Sequence, residues 1–302
     1  MTCPRLIPVV LMRHGRTVLS RDFARHHAIG DAVQVAERYM AWDLDELVYL
    51  DISSHWPGAG AGFDSLLDAV RRMGRWCFVP LTVGGGLRDL DQMAALQKAG
   101  ADRFVLNSAA LAEPAFITRA ARRYGAQALV VAVDARRTGD GYEVFADAAR
   151  RATGWRVEDW CAEAARRGAG EILINAVDRD GTGAGFDLDL VARVAAAVEV
   201  PVIACGGAGA PEHFAAPIRA GAAGAAAGNV FAFRELSYHL ARQAMLAEGV
   251  GLREGVVHRD YAAAKRPHGT GSRLGADREE IWRDLDRIGR DDLLHQGGGT
   301  AP

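Results

Sequence analysis

Two stretches decide how this chain folds: Pro80-Leu-Thr-Val-Gly84-Gly85-Gly86 and Pro201-Val-Ile-Ala-Cys205-Gly206-Gly207. Each is a short apolar run closed by consecutive glycines, the pattern of a strand buried on both faces and ended by a tight turn. The likeness continues downstream. Ala99-Gly100-Ala101 is repeated as Ala220-Gly221-Ala222, and Asn107 aligns with Gly228, all at a constant offset of 121 residues. Asp45-Glu46-Leu47-Val48 similarly matches Gly170-Glu171-Ile172-Leu173 at an offset of 125. A period this long is no solenoid repeat, whose units run to roughly 20–50 residues. It marks two related halves of one architecture.

Working outward, the other strand candidates are Leu6–Met12, Glu46–Ile52, Arg103–Asn107, Ala128–Asp134, Glu171–Val177 and Gly224–Gly228. With Pro80–Gly84 and Pro201–Cys205 they make eight. Between them lie stretches with helical spacing: Asp64–Met73, Leu90–Ala99, Ala112–Tyr124, Val157–Arg167, Leu188–Ala197 and Pro211–Ala220. Strand followed by helix, eight times over, predicts an α/β chain folded as a (β/α)8 TIM barrel with a two-fold half-barrel repeat. The barrel is expected over residues 1–253. Residues 254–302 read as a polar linker followed by a C-terminal helix with Ile281, Leu285 and Ile288 on one face.

Composition narrows the function. The 302 residues carry 36 Lys and Arg against 38 Asp and Glu, a formal charge of −2, so no basic excess invites nucleic acid. No apolar run reaches the ~18 residues of a membrane span, and the start resembles no export signal. Cys3, Cys77, Cys161 and Cys205 are far apart, which fits a reducing cytoplasm without disulfides. No metal-ligand spacing and no strand–GxGxxG–helix fingerprint is present, so no metal and no cofactor is expected.

In parallel barrels the chemistry sits at the carboxyl ends of the strands. There the chain places Gly85-Gly86 with Asn107-Ser108, and Gly206-Gly207 with Gly228-Asn229. Glycine lets backbone N–H groups approach an anion, and the second pair falls on a common barrel phosphate site. Two such pairs on opposite sides of one mouth imply a small-molecule substrate with a phosphate at each end; the plainer reading is tight βα turns. Asp134 ends the fifth strand and is a candidate general acid or base. Asn175 lies in the sixth strand, and Asp180 in the loop after it is a second candidate, although Asp-Gly is also ordinary turn chemistry. Asp51 and His14 are weaker candidates. At the opposite end, Arg5, Glu46, Arg103 and Glu171 open four strands; they form either a ring of salt bridges about the axis or four separate surface charges.

These residues resemble the cyclase subunit family of imidazole glycerol phosphate synthase, the HisF-like proteins. The resemblance rests on Asp45-Glu-Leu-Val-Tyr-Leu-Asp51-Ile52, Val83-Gly-Gly-Gly86, Val131-Ala-Val-Asp134-Ala-Arg, Gly168-Ala-Gly-Glu171-Ile-Leu-Ile, Asp178-Arg-Asp-Gly-Thr182 and Gly206-Gly-Ala-Gly209. It covers about residues 5–250. It implies a histidine-biosynthesis lyase whose glutaminase partner, HisH-like, docks on the amino-terminal face. Ammonia then passes through the barrel to a bis-phosphorylated substrate. Arg5, Glu46 and Glu171 fall on the family's ammonia gate, and Arg103 stands where the family commonly has lysine.

The resemblance also exposes departures. The family's acid/base pair is two aspartates ending the first and fifth strands. Asp134 matches the second, but the first position is Leu11, which cannot move a proton. Leu19 stands in place of a loop lysine, and Asn175 in place of a hydroxyl residue. The combination resembles a paralogous branch serving other glutamine-dependent amidations, in which ammonia goes to a separate amidotransferase. Three readings follow: an ammonia-channelling barrel diverged from imidazole formation, a genuine cyclase with a substitute for the missing carboxylate, or a non-catalytic scaffold that activates the glutaminase.

Overall fold

A computed structural model describes residues 3–53, 63–233 and 236–253. The linker and helix expected over residues 254–302 lie outside the described residues. Eight parallel strands close on themselves: β1 (Arg5–Arg13), β4 (Leu47–Asp51), β5 (Leu81–Gly84), β6 (Arg103–Leu106), β7 (Leu129–Thr138), β10 (Glu171–Ala176), β11 (Val202–Cys205) and β12 (Gly224–Ala227). β12 pairs back onto β1, with Arg5 opposite Gly224, and β7 pairs with β10, with Asp134 opposite Asn175. The (β/α)8 barrel read from the pattern is the fold.

The alternation of β1 shows how the strands are built. Ile7, Val9 and Leu11 join the cluster that fills the barrel axis, while Leu6, Val10 and Met12 join the larger core between strands and helices. That outer core includes the fully buried Trp160, Tyr39 and Tyr238. A barrel interior packed this way is a side-chain core and not an open pore.

The helices follow the expected spacing with two breaks. The single helix expected over Ala112–Tyr124 is two, α4 (Ser108–Ala112) and α5 (Ala115–Tyr124), divided at Pro114, because proline disfavours helical geometry in the residue before it. The segment Pro211–Ala220 is likewise a single turn, Pro211–His213, followed by α8 (Ala215–Arg219). The other βα crossovers carry α2 (Phe63–Met73), α3 (Leu90–Ala99), α6 (Val157–Arg166) and α7 (Leu188–Ala197), and the described barrel ends with α9 (Asn229–Phe233) and α10 (Ser237–Ala247). Helix α1 (Ala32–Met40) is capped by Asp31, whose carboxylate accepts from the N–H groups of Val33 and Gln34.

Two antiparallel hairpins rise from the rim that the pattern did not separate from loop. β2 (Arg16–Arg21) and β3 (Arg25–Asp31) follow β1, and β8 (Gly141–Ala146) and β9 (Arg151–Arg156) follow β7. β7 itself runs past Asp134 to Thr138 and turns at Gly139-Asp140. Among the described residues no helix is long and apolar enough to cross a membrane.

Candidate active site at the carboxyl ends of the barrel strands

Along the axis the barrel interior passes through three zones. At the amino-terminal end Arg5, Glu46, Arg103 and Glu171 form a closed ring. Arg5 Nη1 bonds Glu46 Oε2 at 2.6 Å, and Arg5 also pairs with Glu171. Arg103 Nη1 reaches Glu171 Oε2 at 3.1 Å and Glu46 Oε2 at 3.4 Å. The Thr82 hydroxyl donates to the other oxygen of Glu46 at 2.6 Å. The two carboxylates are buried and the two guanidiniums only partly so. Burial works against the charged form at both Arg5 and Glu171. At Arg5 the facing carboxylates outweigh it and hold the pKa above its usual value; at Glu171 burial wins and the carboxyl is raised. Of the two arrangements open to these four residues, the structure adopts the ring.

Above the ring the axis is apolar, filled by Ile7, Val9, Val48, Val105, Val130 and Leu173 among others. At the carboxyl end the wall divides. On β6, β7 and β10 it is polar. Asn107 donates its amide to Asp134 Oδ2 at 2.9 Å, and Asn175 donates to Oδ1 at 3.4 Å. On β1, β4 and β11 the corresponding wall is Leu11, Leu50 and Cys205, which pack against the apolar axis. Gly84 is required between the two sides, since a Cβ there would lie 2.6 Å from the Cβ of Val105.

Asp134 is 7% exposed. Burial pushes its carboxyl up to about 6, against the downward pull of the Asn107 and Asn175 amides; the nearby charge of Asp180 adds to the rise. A carboxyl poised there can exchange a proton near neutral pH. The Asn107 Oδ1 atom is buried and accepts no hydrogen bond within the protein.

The remaining candidates divide. The Asp180 carboxylate is turned to the β2–β3 hairpin, accepting from the Ser20 hydroxyl at 2.7 Å and the Phe23 N–H at 3.0 Å. The Asn229 side chain exchanges two hydrogen bonds with the backbone of Ser20. Gly85, Gly86, Gly206 and Gly207 all have positive φ, so the backbone follows paths there that favour glycine. A Cβ at Gly228 would lie 3.3 Å from the Val9 carbonyl oxygen, and Ser108 opens α4 directly after Asn107. Asp51 is buried and accepts from the N–H of Ser53, and burial raises its carboxyl. His14 is exposed, and its N–H is held by Ser53 Oγ. Ser20, Thr82 and Cys205 were not singled out from sequence. Alternation along β2, β5 and β11 is the one signal that could have placed them on the inner side.

A family model described as histidine biosynthesis protein matches residues 5–237. The imidazole glycerol phosphate synthase subunit HisF of Gluconacetobacter diazotrophicus is 45% identical over 255 residues, covering 84% of this chain and 97% of that protein. The HisF subunit of Hyphomonas neptunium is 45% identical over 250 residues, covering 82% and 98%. That of Mycobacteroides abscessus is 43% identical over 256 residues, again covering 82% and 98%.

Proposed function

Because the chain belongs to the histidine biosynthesis protein family, we propose that this HisF-like barrel is the ammonia-channelling, cyclase-type subunit of a glutamine amidotransferase, diverged from imidazole formation. The carrying observation is the axial order of its interior: a ring of paired charges, an apolar core, then a mouth with one poised carboxylate, Asp134, and Leu11 on the opposite wall. In this reading a HisH-like glutaminase docks on the amino-terminal face, and the ring of Arg5, Glu46, Arg103 and Glu171 is the gate its ammonia must pass. The uncharged interior favours NH3 over ammonium, since an unpaired charge is expensive to desolvate.

At the mouth, Asp134 moves the proton that ammonia attack requires, and Asn107 and Asn175 orient it. The orphaned Asn107 Oδ1 accepts an N–H of the acceptor. The positive-φ glycines Gly85 and Gly86, with Asn107 and Ser108, cradle one phosphate of that acceptor; Gly206, Gly207, Gly228 and the Asn229 backbone cradle the other. The acceptor is a phosphorylated small molecule, or one held by a separate amidotransferase. We assign the barrel to residues 1–253 and treat residues 254–302 as an appended segment, since the family match ends at residue 237. We assign the reaction to the cytoplasm, a reading that the four widely spaced cysteines of the sequence support.

A second reading, a genuine histidine-pathway cyclase, is favoured by the 45% identity to HisF over almost the whole of that protein. One assay separates the two. The purified chain is given the bis-phosphorylated ribulosyl aminoimidazole carboxamide and saturating ammonium salt, without glutaminase. Absence of imidazole glycerol phosphate, from protein that still binds the substrate, supports divergence. Product at an enzyme-like rate makes the chain a cyclase and sinks the divergence reading.

A further inference from the structure

β7 does not stop at Asp134. It runs on to Thr138 and pairs antiparallel with β8, which returns toward the mouth and sets Phe145 directly opposite Asp134. Opposed residues of an antiparallel pair project from the same face, with Cβ atoms about 4.5–5.5 Å apart. The alternation of β7 fixes which face this is. Val130 and Ala132 belong to the axial cluster, so Asp134 and Phe145 both look inward. Phe145 is buried there with Ala149 and Val177 in a small apolar cluster of its own, separate from the axial one. Val177 stands two residues beyond Asn175, which donates to Asp134. Apolar side chains therefore flank the Asp134 carboxyl both toward the barrel axis and toward the outer rim.

Phe145 is fastened from the other face of its own strand. Tyr142, on the opposite alternation of β8, is buried in the outer core, and its hydroxyl donates to Asp187 Oδ1 at 2.8 Å. The same oxygen accepts from the Leu190 N–H at 3.2 Å and so caps α7. The Arg137 guanidinium lies 4.5 Å from the centre of the Tyr142 ring. Arg136 stands over Phe145 itself, 4.7 Å from the ring centre, with its Nε 3.4 Å from Asp178 Oδ1.

We propose that Phe145 is a positioning residue for Asp134: its ring shields that carboxyl from water on the rim side, and the bond from Tyr142 to Asp187 holds the ring there. Burial is the main reason the Asp134 carboxyl lies near 6, and Phe145 is the large apolar side chain that shares its face and its register. The surrounding charges do not replace that shielding. Asp180, in the loop after β10, adds to the rise. Arg136, two residues on along β7, opposes it but is drawn to Asp178. Arg13, on the inner alternation at the end of β1, opposes it as well. Glu143, opposite Arg136 on β8, accepts from the Gly154 N–H at 2.8 Å. On β11 burial pushes the Cys205 thiol up to about 12, so it stays neutral. The proposal deepens the functional reading above and rests on it only in taking Asp134 as the group that moves the proton.

The test is the titration of Asp134 in the full chain, followed by carbon NMR of protein labelled at its aspartate carboxyls. The Asp134 signal is identified by its loss in Asp134→Asn. The wild-type midpoint should fall near 6. Phe145→Ala admits water beside the carboxyl and should lower the midpoint to about 5 or below. Phe145→Leu keeps apolar bulk and should leave it near the wild-type value. Tyr142→Phe removes only the hydroxyl that holds β8 to α7, and should lower the midpoint by part of the Phe145→Ala shift. A wild-type midpoint near the ordinary 3.8 overturns the proposal, as does an unmoved midpoint in a folded Phe145→Ala. A Phe145→Leu that shifts as far as Phe145→Ala overturns it too, since apolar bulk would then not be what matters. If Phe145→Ala does not fold, Tyr142→Phe is read in its place, and an unmoved midpoint there is the overturning result. The titration needs neither ammonia nor acceptor, so a failed ammonia-transfer assay leaves this proposal standing, and an unmoved midpoint leaves the functional reading standing.

Discussion

Leu11 on β1 stands directly in register with Leu50 on β4, and both rest on the apolar cluster that fills the barrel axis. Their pairing makes one wall of the mouth inert while Asp134 alone carries a titratable group among the three polar residues facing it. Leu11→Asp would set a second carboxylate beside Leu50. We expect ammonium-driven cyclisation of the ribulosyl substrate to rise at least about 100-fold over the wild type, the typical worth of a general acid or base. The thermal midpoint should fall by the equivalent of about 1–3 kcal/mol, because the new carboxyl replaces packed apolar surface. A folded variant with no gain in product would mean that the mouth has lost more than this one residue.

Asp134 should leave its mark on the pH dependence of stability. Its carboxyl titrates near 6 when folded and near the ordinary 3.8 when unfolded, so the folded state holds the proton more tightly. Stability therefore falls as pH rises from about 4 to about 6, and the ionised group costs on the order of 3 kcal/mol at pH 7. Urea midpoints measured across that window should show the slope in the wild type and a shallower one in Asp134→Asn, the remainder coming from Asp51 and Glu171, whose carboxyls burial also raises. The same variant should lose at least about 100-fold in any turnover at the mouth.

The charged ring predicts an asymmetry between its two arginines. Arg5 pairs with both Glu46 and Glu171 at close range, whereas Arg103 reaches Glu46 only at 3.4 Å. Arg5→Ala leaves two buried carboxylates undercompensated and should cost about 3 kcal/mol or more. Arg103→Met should cost less than half of that. In the complex with a glutaminase, both should depress the glutamine-driven reaction while the ammonium-driven reaction is kept. Equal loss in the two reactions would place the effect at the mouth and count against a gating role for the ring.

Gly85→Ala tests the turn after β5. The residue holds φ +122°, and a Cβ would fall 2.1 Å from the carbonyl oxygen of Asp51. The variant should be destabilised by about 3 kcal/mol or more, the reverse of the gain of about 0.4–1 kcal/mol that the same change brings where the backbone suits alanine. It should also weaken inorganic phosphate binding, read by calorimetry. A variant with the wild-type melting temperature would show that the turn can shift and that the glycine is there for another reason.

Much of this molecule was legible before its structure. The doubly apolar strands, the glycine turns and the repeat at 121 residues are local patterns, and they led to all eight barrel strands with errors of a residue or two at most ends. Arg5, Glu46, Arg103 and Glu171 could be placed at one end because each opens a strand. Asp134, Asn107 and Asn175 could be placed at the other because strand ends in a parallel barrel share one mouth. The two rim hairpins were not legible. The run Arg16–Asp31 is rich in arginine and histidine, and it is held as strand by pairing to β1 and by Asp180, which is far away in the chain.

The sequence by itself determined the eightfold strand–helix order, the two related halves and the presence of a leucine at position 11, since periodicity and residue identity are properties of neighbours along the chain. Only the tertiary structure decided that the four charges close into a ring, that Asp134 is buried enough to titrate near 6, and that Asp180 faces Ser20 and Phe23. Those outcomes depend on which side chains meet across strands dozens of residues apart and on how much water is excluded between them. Neither quantity is written in any local stretch of the chain.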